Sequence, residues 1–435
     1  MNKCIKAIFL LVFLIVTNQV KAQKTYERLL EEDYYAEKAL RYEDWTYEKK
    51  IRTVQLYPRL NRIGEKQQVP IIDIRSQRAT PLVLEFDEFG DENDYYEVEI
   101  LHCNSDWTRS REAAINYLYE YNEFNITEYD ISINTKVPYI HYVFQVPPVK
   151  FSGNYILKVY REDDEEDIIL TRRFIVYEQS TIVGMKHERV IGTTESLTRQ
   201  QVNFTVDYSM RELVNPDENI KVVLRQNYRW DNAITDLEPN FNNQLRKTLQ
   251  YNMNNLENTF LGGNEFRHIE FSAFRGGGFN LRQVISGDTI NQVIVLIDKP
   301  KDDRAYDGQA RDFNGQYRIV NRLTAQPETE ADYAEVIFQL ETGNQYTGDV
   351  YIVGSFSDWH LKEENKLTYA PAFGTYYATL ILKQGLYDYM YVVEGAAPNS
   401  LEGNHGRAEN EYDLIVYYRP IGSRGDRVIG YGVLR

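Results

Sequence analysis

The chain lacks most of the residues that cross-link, ligate metals or hold anions. It has two cysteines in 435 residues, Cys4 and Cys103, and six histidines. Cys4 falls in a segment expected to be removed, which leaves Cys103 alone and excludes an internal disulfide, so stability must come from burial. His102 and Cys103 are adjacent, with Asp106 nearby. Neighbours along a strand face opposite ways, so these two cannot both ligate one metal without a bulge. The expectation is a buried Cys103 beside a hydrogen-bonded His102, with no metal. Basic charge is also short: 49 Lys and Arg against 65 Asp and Glu give a net charge of −16. That argues against nucleic acid and anionic lipid as partners. No apolar run approaches the roughly 20 residues of a membrane span, so no direct membrane insertion is expected.

Catalytic signatures are missing too. There is no nucleophile elbow, H-E-x-x-H helix, P-loop or dinucleotide fingerprint. Gly276 to Gly278 lack the Lys-Ser/Thr of a phosphate cradle. Paired carboxylates are too common in so acidic a chain to indicate glycosidase chemistry. The expectation is a protein that is not an enzyme and holds no cofactor.

What the chain does have begins at its N-terminus. Met1 to Lys6 is basic, Ala7 to Val16 is apolar, and Val20-Lys21-Ala22 offers a small residue before Gln23. This predicts a cleavable secretory signal over 1–22 and an exported, soluble protein starting at Gln23. Cys4 precedes the apolar run, so it is not a lipid-accepting cysteine. Removal takes away Lys3, Lys6, Lys21 and no acid, which moves the net charge from −16 to −19. Residues 23–44 read as a polar lead, a weak helix or disordered.

From Tyr47 the pattern is β. Short runs such as Ile51–Leu56, Val69–Ile74, Leu82–Asp87, Tyr95–Leu101, His141–Val146, Asn154–Tyr160 and Arg172–Tyr177 alternate with polar turns. The acidic run Arg161–Asp167 reads as a solvated hairpin tip. It lacks the glycine and acid spacing of a calcium loop. A second unit starts near Thr181, with strands at Val202–Tyr208 and Ile220–Gln226, an Asn-rich stretch over Asn240–Asn258, and the Gly-rich loop Arg275-Gly276-Gly277-Gly278-Phe279. Thr324–Thr329 reads as a linker. The fold class is therefore all-β, with three antiparallel, immunoglobulin-like β-sandwich domains in series: 45–179, 180–330 and 331–435. The 35 tyrosines fit strands, packing half-buried surface with wet hydroxyls, and also fit contact surfaces. Trp107 is expected to anchor the turn after its strand, and Trp230 reads equally as core or surface. Asp288-Thr289-Ile290 matches the short O-glycan acceptor pattern of some exported bacterial proteins, with Thr289 the acceptor.

The C-terminal part resembles glycogen-binding modules, which are early-set immunoglobulin-like sandwiches. The resemblance rests on Gly354-Ser355-Phe356-Ser357-Asp358-Trp359 and Gly385-Leu386-Tyr387-Asp388-Tyr389-Met390. In that family the sugar lies on a Trp, a Lys and a second Trp. Here the positions read Trp359, Met390 and Ala397, so the fold is implied and the sugar site is not. Trp359 is left as a vestigial platform position, expected to pack or to contact protein.

Ordered motifs along nearly the whole chain resemble the periplasmic plug protein of the type IX secretion system. They include Ile51–Tyr57, Tyr95–Trp107, Ser152–Tyr160, Leu170–Phe174, Tyr228–Ala233, Gly262–Arg267 and Lys383–Tyr389. The resemblance implies a non-enzymatic protein, monomeric when free. It would sit on the periplasmic side of the outer membrane and seal the translocon barrel between substrates. Arg275, Gly276, Gly277, Gly278 and Phe279, and the Asn240–Asn258 stretch, are the expected contact loops. The alternative is an exported carbohydrate-binding protein, or an accessory module of a glycan-degrading system.

Overall fold

The computed structural model describes residues 35–435 except 36, 61–67, 254, 303–305 and 307–311. The expected signal segment, Gln23 and most of the polar lead lie outside the described residues. Among the described residues no helix is long and apolar enough to cross a membrane.

The first sandwich packs a six-stranded sheet on a four-stranded one. The larger sheet runs Trp45–Thr46, Asp164–Tyr177, Gly153–Arg161, Tyr96–Cys103, Phe124–Asn125, with Ile71–Asp73 added parallel to Asp164–Tyr177. The smaller runs Ile51–Pro58, Leu82–Phe89, Tyr139–Gln145, Glu128–Ile131, so Ile51–Pro58 is an edge strand. Between them lie Leu84, Phe86, Val98, Ile100, Tyr142 and Leu157. The period-two pattern of Leu82-Val83-Leu84-Glu85-Phe86 places these residues, since alternate side chains share a face. The acidic tip is partly drawn in: Asp167 is 5% exposed and pairs with Lys38 and Arg161.

The second sandwich has one sheet built from Ile182–Glu188, Arg199–Asp207, Thr248–Tyr251 and Phe241–Asn243, with Thr259–Leu261 also on Arg199–Asp207. The facing sheet is Ile220–Gln226, Tyr412–Tyr418 and Arg427–Leu434. Ile220 stands opposite Tyr418 and Gln226 opposite Tyr412. The last strands of the chain thus close the core of Val202, Phe204, Leu224, Leu249, Leu414 and Val416.

The third sandwich uses the strands between. Its sheet path runs from Arg267–Glu270 through Gly385–Val393, Val350–Val353, Lys366–Ala370, Thr375–Lys383 and Tyr333–Glu341 to Asn291–Val295 and Leu281–Ile285. The expected division at 330 crosses this pairing, because Asn291–Val295 lies parallel to Tyr333–Glu341. The third unit is inserted in the second rather than following it. The sequence pattern marks strands but not partners, and partners nearly two hundred residues apart leave no local trace.

Tyrosine also differs from expectation. Among the described residues the twelve largest fully buried side chains are all tyrosines, including Tyr57, Tyr142, Tyr333, Tyr389 and Tyr417. Most of their hydroxyls are not wet but bonded inside: Tyr57 donates to Glu85 at 2.5 Å, Tyr333 to Asp87 at 2.6 Å and Tyr389 to Asp298 at 2.8 Å, while those of Tyr96 and Tyr251 are buried without a hydrogen bond. A buried hydroxyl with an internal acceptor avoids the desolvation cost that an unpaired one carries.

Candidate functional site

Turns, not strands, fill the place where the three sandwiches meet. The Tyr96–Cys103 strand ends in a turn closed by Trp107 N–H to Asn104 O at 3.0 Å and Asn104 N–H to Thr108 O at 2.8 Å. The Ile220–Gln226 strand ends where Arg229 N–H bonds Gln226 O at 3.1 Å. The Val350–Val353 strand runs into a single 3-10 turn, Ser355–Ser357, followed by Asp358 and Trp359. Each turn carries an aromatic residue in the left-handed region: Trp107 at φ 64°, Tyr228 at 59°, Trp359 at 63°.

With Arg172, Arg173 and Arg225, these turns line an open cavity of about 410 Å³. Each arginine is paired. Arg173 lies 2.8 Å from Asp44, Arg172 3.3 Å from Asp358, Arg225 2.5 Å from Asp413 and Arg229 2.6 Å from Asp231. Their planes also cover indole rings. Arg173 lies 5.5 Å from the Trp107 ring centre and 5.0 Å from that of Trp230, Arg225 4.2 Å from Trp230, and Arg229 3.9 Å from Trp359. Trp107 and Trp230 meet edge to face at 5.1 Å. Burial alone would raise the Asp44 carboxyl, but Arg173 and Arg172 hold it below its ordinary value.

Trp230 is therefore half-buried among arginines, which settles its place. Trp107 does anchor its turn, 8% exposed, and also reaches the junction. Trp359 packs with Phe266 and Val392 on the cluster of Tyr351, Val353 and Met390. It lies so close to Gly315, at φ +79°, that a Cβ there would come within 2.4 Å of the ring. One face of Trp359 carries Arg229, Met390 is buried beneath, and Ala397 sits exposed in the turn after Gly385–Val393. The three platform positions do not form one open stacking surface.

The structure does not bring the expected contact loop to this junction. Arg275, Gly276, Gly277, Gly278 and Phe279 form an exposed loop between Arg267–Glu270 and Leu281–Ile285. Gly276 and Gly277 hold φ of 96° and 85°, and Phe279 is 54% exposed while its backbone exchanges hydrogen bonds with Glu270. The Asn240–Asn258 stretch is a correction. It is not a flexible loop but holds the paired strands Phe241–Asn243 and Thr248–Tyr251, with Leu249, Tyr251 and Asn258 fully buried. Asparagine density masked an alternating core pattern. Thr289 is exposed in the turn between Leu281–Ile285 and Asn291–Val295.

Cys103 is buried, and burial pushes its thiol up to about 12. His102 accepts or donates a 2.8 Å bond with Ser110 Oγ, and burial lowers its imidazole to about 3. Cys103 lies in an apolar cluster with Leu101, Ile156, Val223, Ile415 and Tyr417 that joins the first two sandwiches.

The arginines around the tryptophans were the part sequence reading missed. The one available signal was scarcity: with four tryptophans in the chain, Arg172-Arg173 and the Arg225–Trp230 run are unusual neighbours.

Residues 51–178, the first sandwich, match the family described as Type 9 secretion system plug protein 1st domain. No curated protein matches the chain. Among solved structures, a hypothetical protein from Parabacteroides merdae ATCC 43184 is similar over 91% of this chain and 100% of its own, at 30% identity and a TM-score of 0.84. The chain belongs to one family with that protein, and its first sandwich is similar to the first domain of type IX secretion system plug proteins.

Proposed function

We propose that this protein is a non-enzymatic periplasmic plug that closes the periplasmic opening of the type IX secretion translocon barrel in the outer membrane. The observation that carries this reading is the plug first-domain match over residues 51–178. The architecture supports it physically. A cover for a wide pore must be stiff without a cofactor, and the three sandwiches are tied by buried contacts such as Lys383–Asp87 and Tyr417–Asn154. The Arg275–Phe279 loop is the proposed contact, because it is exposed and carries an aromatic side chain. The protein is exported by the signal at 1–22, cleaved after Ala22, and is monomeric when free.

Deleting the gene tests the reading. The outer membrane is expected to admit large hydrophilic antibiotics that are normally excluded, while secretion continues. Unchanged permeability with the barrel present would remove the proposal. Deleting Arg275–Phe279 is expected to weaken co-purification with the barrel at unchanged melting temperature; unchanged co-purification would remove only the choice of surface.

A further inference from the structure

Asp288 is the only aspartate of the chain followed by a serine or threonine, and the aliphatic Ile290 comes next. In the structure Asp288, Thr289 and Ile290 form the tip of the hairpin between Leu281–Ile285 and Asn291–Val295. The turn is narrow, since a Cβ on Gly287 would come within 2.1 Å of the Ile290 carbonyl oxygen. It is also pinned at both ends by the first sandwich. Lys136 Nζ donates to Ser286 Oγ at 3.0 Å, to the Gly287 carbonyl at 2.5 Å and to Asn291 Oδ1 at 2.8 Å. Between those anchors Asp288 and Thr289 are both exposed.

Two further observations bear on this tip. A threonine hydroxyl in a turn usually closes on nearby backbone. Thr342 does so with Asn344 O at 2.7 Å, and Thr375 with Phe373 O at 3.0 Å. Among the described residues the Thr289 hydroxyl makes no such bond, so its Oγ is free to react. Second, Leu281–Ile285 ends its sheet and pairs only with Asn291–Val295. A bulge breaks its first residues, but the regular stretch Gln283–Ile285 beside the turn has an uncovered outer side, with Gln283 and Ile285 exposed. A bulky polar group on the tip would shield that edge from pairing with another chain.

We propose that Thr289 carries an O-linked glycan, added after export by a glycosyltransferase that reads Asp288 and Ile290 on either side. The donor is a glycosyl pyrophosphate. A bond forms between Thr289 Oγ and the anomeric carbon, the bond from that carbon to the pyrophosphate oxygen breaks, and the pyrophosphate leaves with the electron pair. The hydroxyl proton passes to a base of the transferase, and nothing is oxidised or reduced. A glycan is bulky, solubilising and confined to surface positions, and a pinned, protruding tip presents its acceptor without unfolding. The glycan also stays clear of the proposed barrel contact. The Arg275–Phe279 loop precedes the other end of Leu281–Ile285, a five-residue strand of roughly 17 Å. The proposal rests on the export reading, because the transfer takes place outside the cytoplasm.

The test is mass spectrometry of the full chain purified from the cells that make it, intact and after trypsin. The intact protein is expected to be heavier than its processed sequence by whole sugar residues. The tryptic peptide that begins at Gln283 is expected to carry that entire excess, with fragmentation placing it on Thr289. Thr289→Ala and Asp288→Ala are expected to lose the excess, and Thr289→Ser to keep it, because serine supplies the same hydroxyl. The wild-type peptide decides the matter even where a variant folds poorly. A chain that has lost residues 1–22 but has a bare Thr289 would overturn this proposal alone. A chain that keeps those residues would overturn the export reading with it. Sugar that persists in Thr289→Ala would overturn the assignment of the site.

Discussion

The first sandwich meets its two neighbours through interfaces with different centres, although the one toward the second is also edged by the Glu112–Arg427 pair and the Ser105–Asp426 bond. Toward the second it presents an apolar sheet: Leu101, Cys103 and Ile156 against Val223, Ile415 and Val428, all 2% exposed or less. Toward the third it presents a buried charge. Asp87 lies 2.6 Å from Lys383, both side chains 1% exposed, and also accepts from Tyr333 at 2.6 Å and meets His141 at 2.7 Å. Lys383 lies 4.1 Å from the centre of the Tyr139 ring as well. The apolar contact is tolerant of pH and of conservative change. The charged one is sensitive to the loss of a member, because the buried Asp87 carboxylate takes its cation from Lys383.

The largest expected effect comes from breaking the charged side. Lys383→Met leaves Asp87 buried without its cation and is expected to cost about 3–5 kcal/mol. Asp87→Leu with Lys383→Met is expected to recover most of that. Urea unfolding checks both, and a double variant no better than the single would mean that the pair itself holds the interface. Acid should act on the same side. Burial would raise the Asp87 carboxyl, but Lys383 and His141 hold it below the ordinary value. Its contribution is therefore present above the unfolded value of about 3.9 and lost as pH falls through the folded one. Amide exchange should speed up first at Tyr333–Glu341 on acidification, and last in the Val223–Ile415 region.

A smaller loss is expected on the apolar side. Ile415→Ala removes buried methyl groups and is expected to cost about 2–4 kcal/mol, with no pH dependence between 4 and 8, roughly the window set by carboxylate and imidazole titration. A pH-dependent loss there would erase the contrast. The smallest is Cys103→Ser, at about 1 kcal/mol, a core-packing amount with no disulfide or metal at stake. Thermal unfolding with and without a chelator measures it; a chelator-sensitive wild type would contradict it.

Much of the strand inventory was readable from alternation. Ile51–Leu56, Leu82–Asp87 and Ile220–Gln226 all appear as strands near the expected bounds. Their alternating apolar residues must share a face, and that constraint is local. Pairing is not local. Nothing in Tyr412–Tyr418 says that it completes a sheet begun at Ile220, and the Asn240–Asn258 stretch hides Leu249 and Tyr251 among polar neighbours. The junction was least legible of all. Trp107, Trp230 and Trp359 lie on three different turns, and only the packed structure brings arginines over them. Trp359 could be singled out by its motif; its partner Arg229, from another sandwich, could not.

The inserted topology also sets an order of events. Gln226 and Tyr412, which hydrogen-bond between neighbouring strands of the second sandwich, are 186 residues apart in the chain. A chain that emerges from its N-terminus completes the first sandwich by Tyr177, then has to carry half of the second as an open sheet while the entire third is made. Only the final two strands, Tyr412–Tyr418 and Arg427–Leu434, end that exposure. Contacts at such separation form late, and an unpaired sheet waiting for them invites pairing with other chains. The last two dozen residues are thus a lock that snaps shut at the end of folding. A chain cut before Tyr412 would keep an intact first sandwich and be held back by its unfinished second one.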